Sequence, residues 1–225
     1  MKGHKDLGAA LIQKLQERYT LNREDVGADA RLSKKGMVFE TESYAVENLG
    51  HLCVLRMKAM LGLMKMETVV LACEEKDVPL FNLDYVDAMG KETQIAELYD
   101  TQLAPWPGEA QSAFAALKAR DADLPDPPAQ SAHWYDAILY PCSYHKAGKG
   151  FTERLNAAAD GYMQRFIEQL EAAPACDAEA KRAKIRAFAE ELFAQGGPAV
   201  DTMTKLFGRE VAGRVILRYM YGVRP

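Results

Sequence analysis

Acidic side chains are concentrated in one stretch of the chain that has the pattern of β-strands. The acidic residues that fall on predicted strands within residues 79–100 are Asp84, Asp87, Glu97 and Asp100. Asp84 is unusual, because aspartate is depleted in strands, where its side chain competes for backbone hydrogen bonds. If the strand face that carries Asp84 is covered, burial raises the pKa of this carboxyl group and makes it a proton donor near neutral pH. The alternative is that Asp84 faces solvent on a half-covered sheet.

Two further titratable side chains could take part in proton chemistry. Glu67 lies just before the apolar strand that begins at Val69. We expect Glu67 to neighbour Asp84 on the sheet, so that the two carboxylates share a proton and titrate as a unit. The competing interpretation is an exposed glutamate at the start of a strand. His145 could bind an acidic group or relay protons, or it could be a loop histidine without a role.

The sequence lacks the short motifs that bind common cofactors. It has no glycine-rich nucleotide-binding loop and no metalloprotease or serine-hydrolase signature. A metal-dependent hydrolase that uses the carboxylates of residues 79–100 is one functional alternative. Strand alternation places Asp84 and Asp87 on opposite faces, which argues against a single metal site. The four cysteines have no zinc-site spacing and are predicted to be free thiols in a reducing compartment: Cys53, Cys73, Cys142 and Cys176.

The hydrophobic pattern predicts an α+β fold with an antiparallel sheet. Residues 6–19 are predicted to form a helix with its apolar residues on one face, and residues 22–35 are predicted to form a polar loop. Strands are predicted over 37–44, 69–73, 79–89, 93–100 and 137–140, whereas 51–60 fits a strand or a helix. Helices are predicted over 110–120 and, in the last third of the chain, around 155–170, 185–193, 198–207 and 211–220. Short turns between the strands require antiparallel pairing.

Alternation within residues 79–89 divides the strand into two faces. Phe81, Leu83 and Tyr85 share one face, and the other face carries Asn82, Asp84 and Val86. No internal repeat or low-complexity linker interrupts the chain. We therefore expect a single domain over residues 1–225, with an N-terminal helix and loop in residues 1–35.

Composition limits the classes of partner. The chain has 225 residues and a formal net charge of −4, without a basic patch, which argues against nucleic-acid binding. Lys58 and Lys65 break the longest apolar stretch, so no membrane span is predicted. The N-terminal residues lack the pattern of a signal peptide. We expect a cytoplasmic protein.

The chain contains three short blocks, PLFNLD at 79–84, ILYP at 138–141 and MTKLFGRE at 203–210. Together they resemble the ferredoxin-dependent bilin reductases, to which the plant red chlorophyll catabolite reductases are related. The sequence PLFNLD at 79–84 is similar to that family's P-I-F-G-x-D motif, and Ile138–Pro141 to its F-F-S-P segment. Residues 203–210, MTKLFGRE, look like its C-terminal M-L-x-x-L-F-G-x-x-W block. The order and spacing of these blocks match over roughly residues 36–222.

The resemblance implies a three-layer α/β/α sandwich with a central antiparallel sheet and a tetrapyrrole pocket beside the C-terminal helices. It implies no bound cofactor, electrons from an external ferredoxin or flavodoxin, and protons from buried carboxylates. Asp84 falls on the family's proton-donating aspartate, and we expect Glu67 as a second catalytic acid. We expect substrate contacts from Asn82, Tyr140, Ser143 and His145, and propionate binding by Lys146, Lys149 and Arg56.

Two departures from the family pattern affect the expected chemistry. Glu67 lies where members usually have histidine or asparagine, and Gly197 lies where many have a second functional aspartate. Glycine cannot donate a proton, so Glu67 is the candidate to replace that acid. The alternative function is a non-catalytic tetrapyrrole carrier or sensor on the same scaffold, which the glycine at 197 favours.

Overall fold

The structure, a computed structural model, describes residues 4–128 and 132–224. In these residues the strands are β1 (Leu21–Arg23), β2 (Arg31–Lys34), β3 (Met37–Val46), β4 (Gly50–Ala59), β5 (Met64–Cys73), β6 (Leu80–Ala88), β7 (Lys91–Tyr99) and β8 (Tyr144–Gly148). They form one antiparallel sheet in the order β1–β3–β4–β5–β6–β7–β8, and β2 also pairs with β3. The predicted antiparallel pairing is confirmed, and the ambiguous segment 51–60 is a strand as far as Ala59.

The helices lie on both sides of this sheet. They are α1 (Leu7–Gln16), α2 (Gly108–Ala119), α3 (Thr152–Ala172), α4 (Ala178–Gln195), α5 (Pro198–Phe207) and α6 (Arg209–Gly213), which continues as a π-helix over Arg214–Met220. None of the helices in the described residues is long and apolar enough to span a bilayer.

Two hydrophobic cores separate the layers. Phe81, Leu83 and Tyr85 point to one face, where they pack with α1, α2 and α3. The rings of Phe81 and Phe166 stack there with centroids 4.4 Å apart. The second core lies between the opposite face of the sheet and α4, α5, α6 and the π-helix. The predicted α/β/α sandwich is therefore confirmed, because each face of the central strands is covered by helices.

Two predictions of local structure are wrong. The predicted strand at 137–140 is instead the end of a 3₁₀-helix, Trp134–Ile138, and only Leu139 bridges to Tyr99. The carboxylate of Asp136 accepts a hydrogen bond from the His133 amide at 2.8 Å and fixes the start of this turn. The last strand is β8, and the predicted loop at 22–35 contains β1 and β2.

The break between α4 and α5 is confirmed at the predicted glycines. Gly196 ends α4 with φ +87°, a conformation that favours glycine, and Pro198 is the first residue of α5. This break brings the start of α5 over the sheet face that carries Asp84.

A buried lysine holds α4 on the sheet. Lys181 is fully buried, and its ammonium group donates hydrogen bonds to the carbonyl oxygens of Val78 at 2.6 Å and Thr101 at 2.8 Å. These carbonyls lie just before β6 and just after β7. Lys181 therefore ties α4 to the same end of two central strands, because a buried carbonyl without a donor is costly.

Replacing Lys181 with methionine should lower the free energy of unfolding by about 2–4 kcal/mol, because two buried carbonyls lose their donor. The midpoint of denaturant-induced unfolding measures this change. Lys205→Met is the matched control, since Lys205 is exposed on α5 and its replacement should change stability by less than about 0.5 kcal/mol. Equal midpoints for the two variants would contradict the role assigned to Lys181.

Candidate functional site

A cavity of about 260 Å³ lies between the sheet and the helices α4, α5 and the π-helix. From the sheet it is lined by Thr68, Asn82, Asp84 and Glu97, and from the helical side by Leu192, Gly197 and Met220. A wider cavity of about 750 Å³ adjoins it and shares three residues with it: Ile95, Glu97 and Tyr135. The polar groups of the site lie mainly on the strands, and the helices supply an apolar wall.

Asp84 lies on the floor of the smaller cavity. The register of β5 and β6 pairs Asp84 with Thr68, whose hydroxyl group donates to Oδ1. The amide of Asn82 donates to Oδ2 at 2.6 Å. The side chain keeps a small accessible area because it faces the cavity, while protein surrounds it otherwise. Of the two alternatives that the sequence left open for Asp84, the structure shows the covered face.

The pKa of Asp84 is raised from 3.8 to about 6. Burial is the largest cause, and the negative charge of Glu97 adds to it. The hydrogen bonds from Thr68 and Asn82 favour the ionised form and oppose these effects, as does His145. Asp84 is therefore an acid that is partly protonated near neutral pH and faces a cavity, as a general acid requires.

Glu97 connects the two cavities. On β7 it pairs with Asn82 of β6, and its Oε2 accepts from the Asn82 amide at 3.2 Å and from the Tyr99 hydroxyl at 2.6 Å. Its Oε1 lies 2.9 Å from Nε2 of His145. The amide of Asn82 thus contacts both carboxylates and fixes their separation.

Three tyrosines surround the carboxylates. Tyr99, Tyr135 and Tyr221 all line the smaller cavity. Burial raises the pKa of each phenol, to about 12 for Tyr135, and the charge of Glu97 contributes. These phenols are therefore neutral at physiological pH and supply flat aromatic surface with polar edges.

Gly197 lies at the helical wall, opposite the carboxylates, and lines the smaller cavity. It precedes α5 in an extended conformation, which any residue can adopt. A Cβ atom at this position would contact only the side chain of Leu192, at 3.5 Å. Neither the backbone conformation nor the space at Cβ therefore requires glycine at position 197.

Glu67 lies on the opposite face of the sheet, so the predicted carboxylate pair with Asp84 is wrong. The strand register places Thr68, one residue further on, beside Asp84. The carboxylate of Glu67 instead accepts hydrogen bonds from the backbone amides of Leu7 at 2.8 Å and Gly8 at 3.1 Å. These amides are at the N-terminus of α1, so Glu67 anchors that helix rather than facing the cavity.

Arg56 is also on the α1 side and cannot bind a propionate in the cavity beside Asp84. It pairs with Glu67, 3.0 Å from Nε, and with Asp6 at 2.9 Å. A third carboxylate, that of Glu42, contacts its other terminal nitrogen. Arg56 is therefore the centre of a structural ion-pair cluster, because its donors already have partners.

The two predicted propionate-binding lysines differ in position. Lys146 lines the wider cavity, but its ammonium group is held by the carbonyl of Leu124 at 2.9 Å and the carboxylate of Asp126 at 2.8 Å. Lys149 lies in the exposed turn after β8 and lines neither cavity. Of these two, only Lys146 is near the site.

Tyr140 and Ser143, predicted to contact a ligand, do not line either cavity, so the structure does not bring them to the candidate site. The hydroxyl group of Tyr140 donates to Gln102 at 3.1 Å, and its ring packs against Trp106. The hydroxyl oxygen of buried Ser143 accepts a hydrogen bond from the Leu98 amide at 3.0 Å. Both side chains support the end of β7.

Within the described ranges, no three His, Cys, Asp or Glu side chains are grouped so that they could hold a metal ion. The four cysteines are free thiols there, as predicted. Of the predicted site residues, the cavities bring together Asp84, Asn82, His145 and Lys146. The sequence pattern marks Glu97 only as one of several carboxylates, and it contains no signal that Thr68, Tyr135 or Tyr221 belong to the site.

The raised pKa of Asp84 makes a testable prediction about stability. Below the ordinary pKa of 3.8 the group is protonated in both folded and unfolded chains, so it contributes no pH dependence. As pH rises towards 6, the unfolded chain releases this proton more readily, so the wild-type fold loses stability.

Asp84→Asn removes this ionisation and should raise the free energy of unfolding at pH 7.5 by about 1–2 kcal/mol, with no gain near pH 3.5. The gain is limited because an asparagine cannot accept the hydrogen bond from Asn82 in the same way. Denaturant titrations at several pH values measure it. Asp87→Asn is the control, because Asp87 is on the same strand but lies outside the cavity, where it caps the turn at Gly90. A variant no more stable than wild type at pH 7.5 would contradict the raised pKa.

Comparisons with known proteins identify the fold. No protein-family model and no curated protein matches the sequence. Among solved structures, the crystal structure of selenomethionine-labelled phytochromobilin synthase from tomato in complex with biliverdin is similar, with a TM-score of 0.73. The alignment covers 96% of this chain and 81% of that chain at 13% sequence identity. At this identity the similarity establishes that the chain has the fold of that bilin-binding protein.

Proposed function

We propose that this protein reduces an open-chain tetrapyrrole, with single electrons from an external donor and a proton from Asp84. The observation that carries the proposal is a buried carboxyl group with a pKa of about 6 that faces a cavity between the sheet and the C-terminal helices. The similar fold of a protein solved with biliverdin supports a ligand of this class.

The shape and lining of the cavities suit a flat, mostly apolar ligand with polar edges. Tyr99, Tyr135 and Phe188 supply aromatic surface, and Ile216 and Met220 supply aliphatic surface. The adjoining wider cavity gives a long ligand room to extend towards Lys146 and His145. Pockets for small ligands combine such apolar walls with a few placed polar groups.

Asp84 would act by changing the charge of the pigment. A protonated tetrapyrrole accepts an electron more readily than a neutral one, because the added positive charge stabilises the electron. An acid with a pKa near the working pH donates this proton and is readily protonated again. Thr68 and Asn82 hold the carboxyl group in one orientation at the cavity.

The electrons would come from an external iron–sulfur protein or flavodoxin, as the resemblance of the three sequence blocks to the ferredoxin-dependent bilin reductases implies. The tips of the β4–β5 and β6–β7 hairpins offer a docking surface for an acidic donor of this kind. Exposed lysines flank large exposed apolar side chains there: Lys58, Lys65, Lys91, Met60, Leu61, Leu63 and Met89. Met66 and Val86, which line the cavity, lie about 7 Å along the sheet from the strand ends.

A non-catalytic carrier or sensor is the second candidate function. The specific observation that favours it is Gly197, which leaves the helical wall of the cavity without an acid. A carrier would bind the pigment and shift its absorption spectrum without consuming it. A reductase would replace that spectrum with the spectrum of a product under the same anaerobic, reducing conditions.

Asp84→Asn should bind biliverdin within about threefold of the wild-type affinity and lose turnover by about 100-fold or more, which is the usual contribution of a general acid. The measurement is anaerobic absorbance spectroscopy with biliverdin and reduced ferredoxin. Asp87→Asn is the matched control, because Asp87 is on the same strand and caps a turn outside the cavity.

Wild-type turnover by Asp84→Asn would rule out the proton-donating role. Wild-type protein that binds biliverdin and leaves it unreduced would favour the carrier. A panel of linear tetrapyrroles extends the same assay to other substrates of this class.

Reversing the charge at Lys58, Lys65 and Lys91 together should slow turnover with reduced ferredoxin by about tenfold at low salt, because electrostatic attraction speeds association. Turnover with a small chemical reductant should be unchanged. Lys205→Glu is the control for a charge reversal elsewhere on the surface, because Lys205 is an exposed residue of α5. Equal rates with ferredoxin for the triple variant and wild type would place the donor elsewhere on the surface.

A further inference from the structure

The stoichiometry of the proposed reaction requires more protons than one carboxyl group holds. Reducing one double bond of a tetrapyrrole consumes two electrons and two protons. Asp84 carries one proton at a time, and Gly197 carries none. A second protonatable group that faces the cavity, or a rapid route for returning protons to the site, must therefore exist if the reaction is to be completed.

Glu97 and His145 form a second protonatable pair in the same site. Nε2 of His145 lies 2.9 Å from Oε1 of Glu97, which is the distance of a charge-assisted hydrogen bond. The other carboxylate oxygen of Glu97 is held by the Tyr99 hydroxyl at 2.6 Å and the Asn82 amide at 3.2 Å. The carboxylate is thus held in one orientation by contacts at both oxygens, which positions it relative to a bound ligand.

The position of the pair gives it access to both the ligand and the solvent. Glu97 lines the smaller cavity with Asp84 and also lines the wider cavity. The side chain of His145 lines only the wider cavity and is 34% exposed, whereas that of Glu97 is 14% exposed. A proton from water can therefore enter at the imidazole and reach the interior carboxylate in one transfer.

Other charged groups near the pair are already engaged. On the side of β8, Lys146 is bound by Asp126. Asp136 accepts from the His133 amide in the 3₁₀-helix that borders the wider cavity. The phenols of Tyr99, Tyr135 and Tyr221 remain neutral because burial raises their pKa. Lys118 donates to the carbonyl of Pro141, and it lines only the wider cavity, as does His133. Asp84 and Glu97 are the acids that line the smaller cavity, and His145 is bonded to Glu97.

We propose that the Glu97–His145 pair is the second proton source for the tetrapyrrole, a role that rests on the proposed function. Protonated His145 transfers the proton on Nε2 to Glu97, and the resulting carboxylic acid donates it to the pigment. Two electrons arrive singly from the iron–sulfur or flavodoxin donor. One double bond becomes a single bond with two new bonds to hydrogen, one proton coming from Asp84 and one from Glu97. Both carboxylates are then protonated again from water, Glu97 through His145.

The test uses Glu97→Gln and His145→Ala in the anaerobic assay with biliverdin and reduced ferredoxin. Both variants should bind biliverdin within about threefold of wild type. Turnover should fall by about 100-fold, the usual contribution of a general acid, and a one-electron-reduced pigment radical should accumulate, because the second protonation fails. Electron paramagnetic resonance detects the radical.

Added imidazole should restore at least about a tenth of the lost rate in His145→Ala, because the residue borders an open cavity that a small base can enter. A purely structural role would not respond to imidazole. Glu92→Gln is the matched control, since Glu92 is a buried glutamate of β7 whose carboxylate binds Tyr85 and Thr152 on the opposite face. This control should keep wild-type turnover without a radical signal.

The outcomes separate this inference from the proposed function. If wild type reduces the pigment and both variants match it, the second proton source is refuted and Asp84 keeps its role. A slow His145→Ala that imidazole does not rescue would also overturn the route through His145. If wild type reduces no tetrapyrrole of the panel, the proposed function and this inference fail together.

Discussion

The site depends on one constraint, which is the placement of two carboxylates around the amide of Asn82 on a covered sheet face. Asn82 donates to Asp84 at 2.6 Å and to Glu97 at 3.2 Å, so two negative charges are held close together where water is scarce. Burial and the neighbouring charge both disfavour ionisation of Asp84, and its pKa rises to about 6. The burial comes from α4, α5 and the π-helix, which cover this face, and their hydrophobic packing against the sheet offsets its cost. The position of these helices depends on Lys181 and on the break at Gly196.

Much of the fold could be predicted from the sequence, because alternation and short turns determine local structure. The segment 79–89 has period-two alternation and a tight turn, so its faces and its pairing with β7 follow directly. The 3₁₀-helix at Trp134–Ile138 could not be read in this way, because its apolar residues also fit a short strand and its cap depends on Asp136. The coverage of the Asp84 face by the C-terminal helices depended on tertiary packing, which a pattern along one strand does not contain.

The errors in the site come from strand register. A shift of one residue moves a side chain to the opposite face, and β5 and β6 are joined by a loop of several residues that leaves their register open. Thr68 rather than Glu67 therefore faces Asp84, and Glu67 is left to anchor α1. The β4–β5 turn is tight, so the pairing of Arg56 with Glu67 could have been found by counting back from the turn. Counting from this turn places Arg56 and Glu67 on the same face of the sheet. Once the register of β6 is known, that face is seen to be opposite Asp84, which excludes Glu67 from the cavity.

The helical wall of the cavity has no acid at Gly197, whereas the sheet contributes two acids, Asp84 and Glu97. Position 197 could hold a side chain, since a Cβ atom there meets only Leu192 at 3.5 Å. Glu97 lies on rigid β7 and is fixed by three partners, whereas a side chain at 197 would sit at the start of a helix. Proton-donating groups confined to the strands would approach a flat ligand from one face only, and the apolar helical wall would exclude water from the other. Such an arrangement favours delivery of both protons to the same side of the pigment, so the sheet, rather than the helices, would set the stereochemistry of reduction.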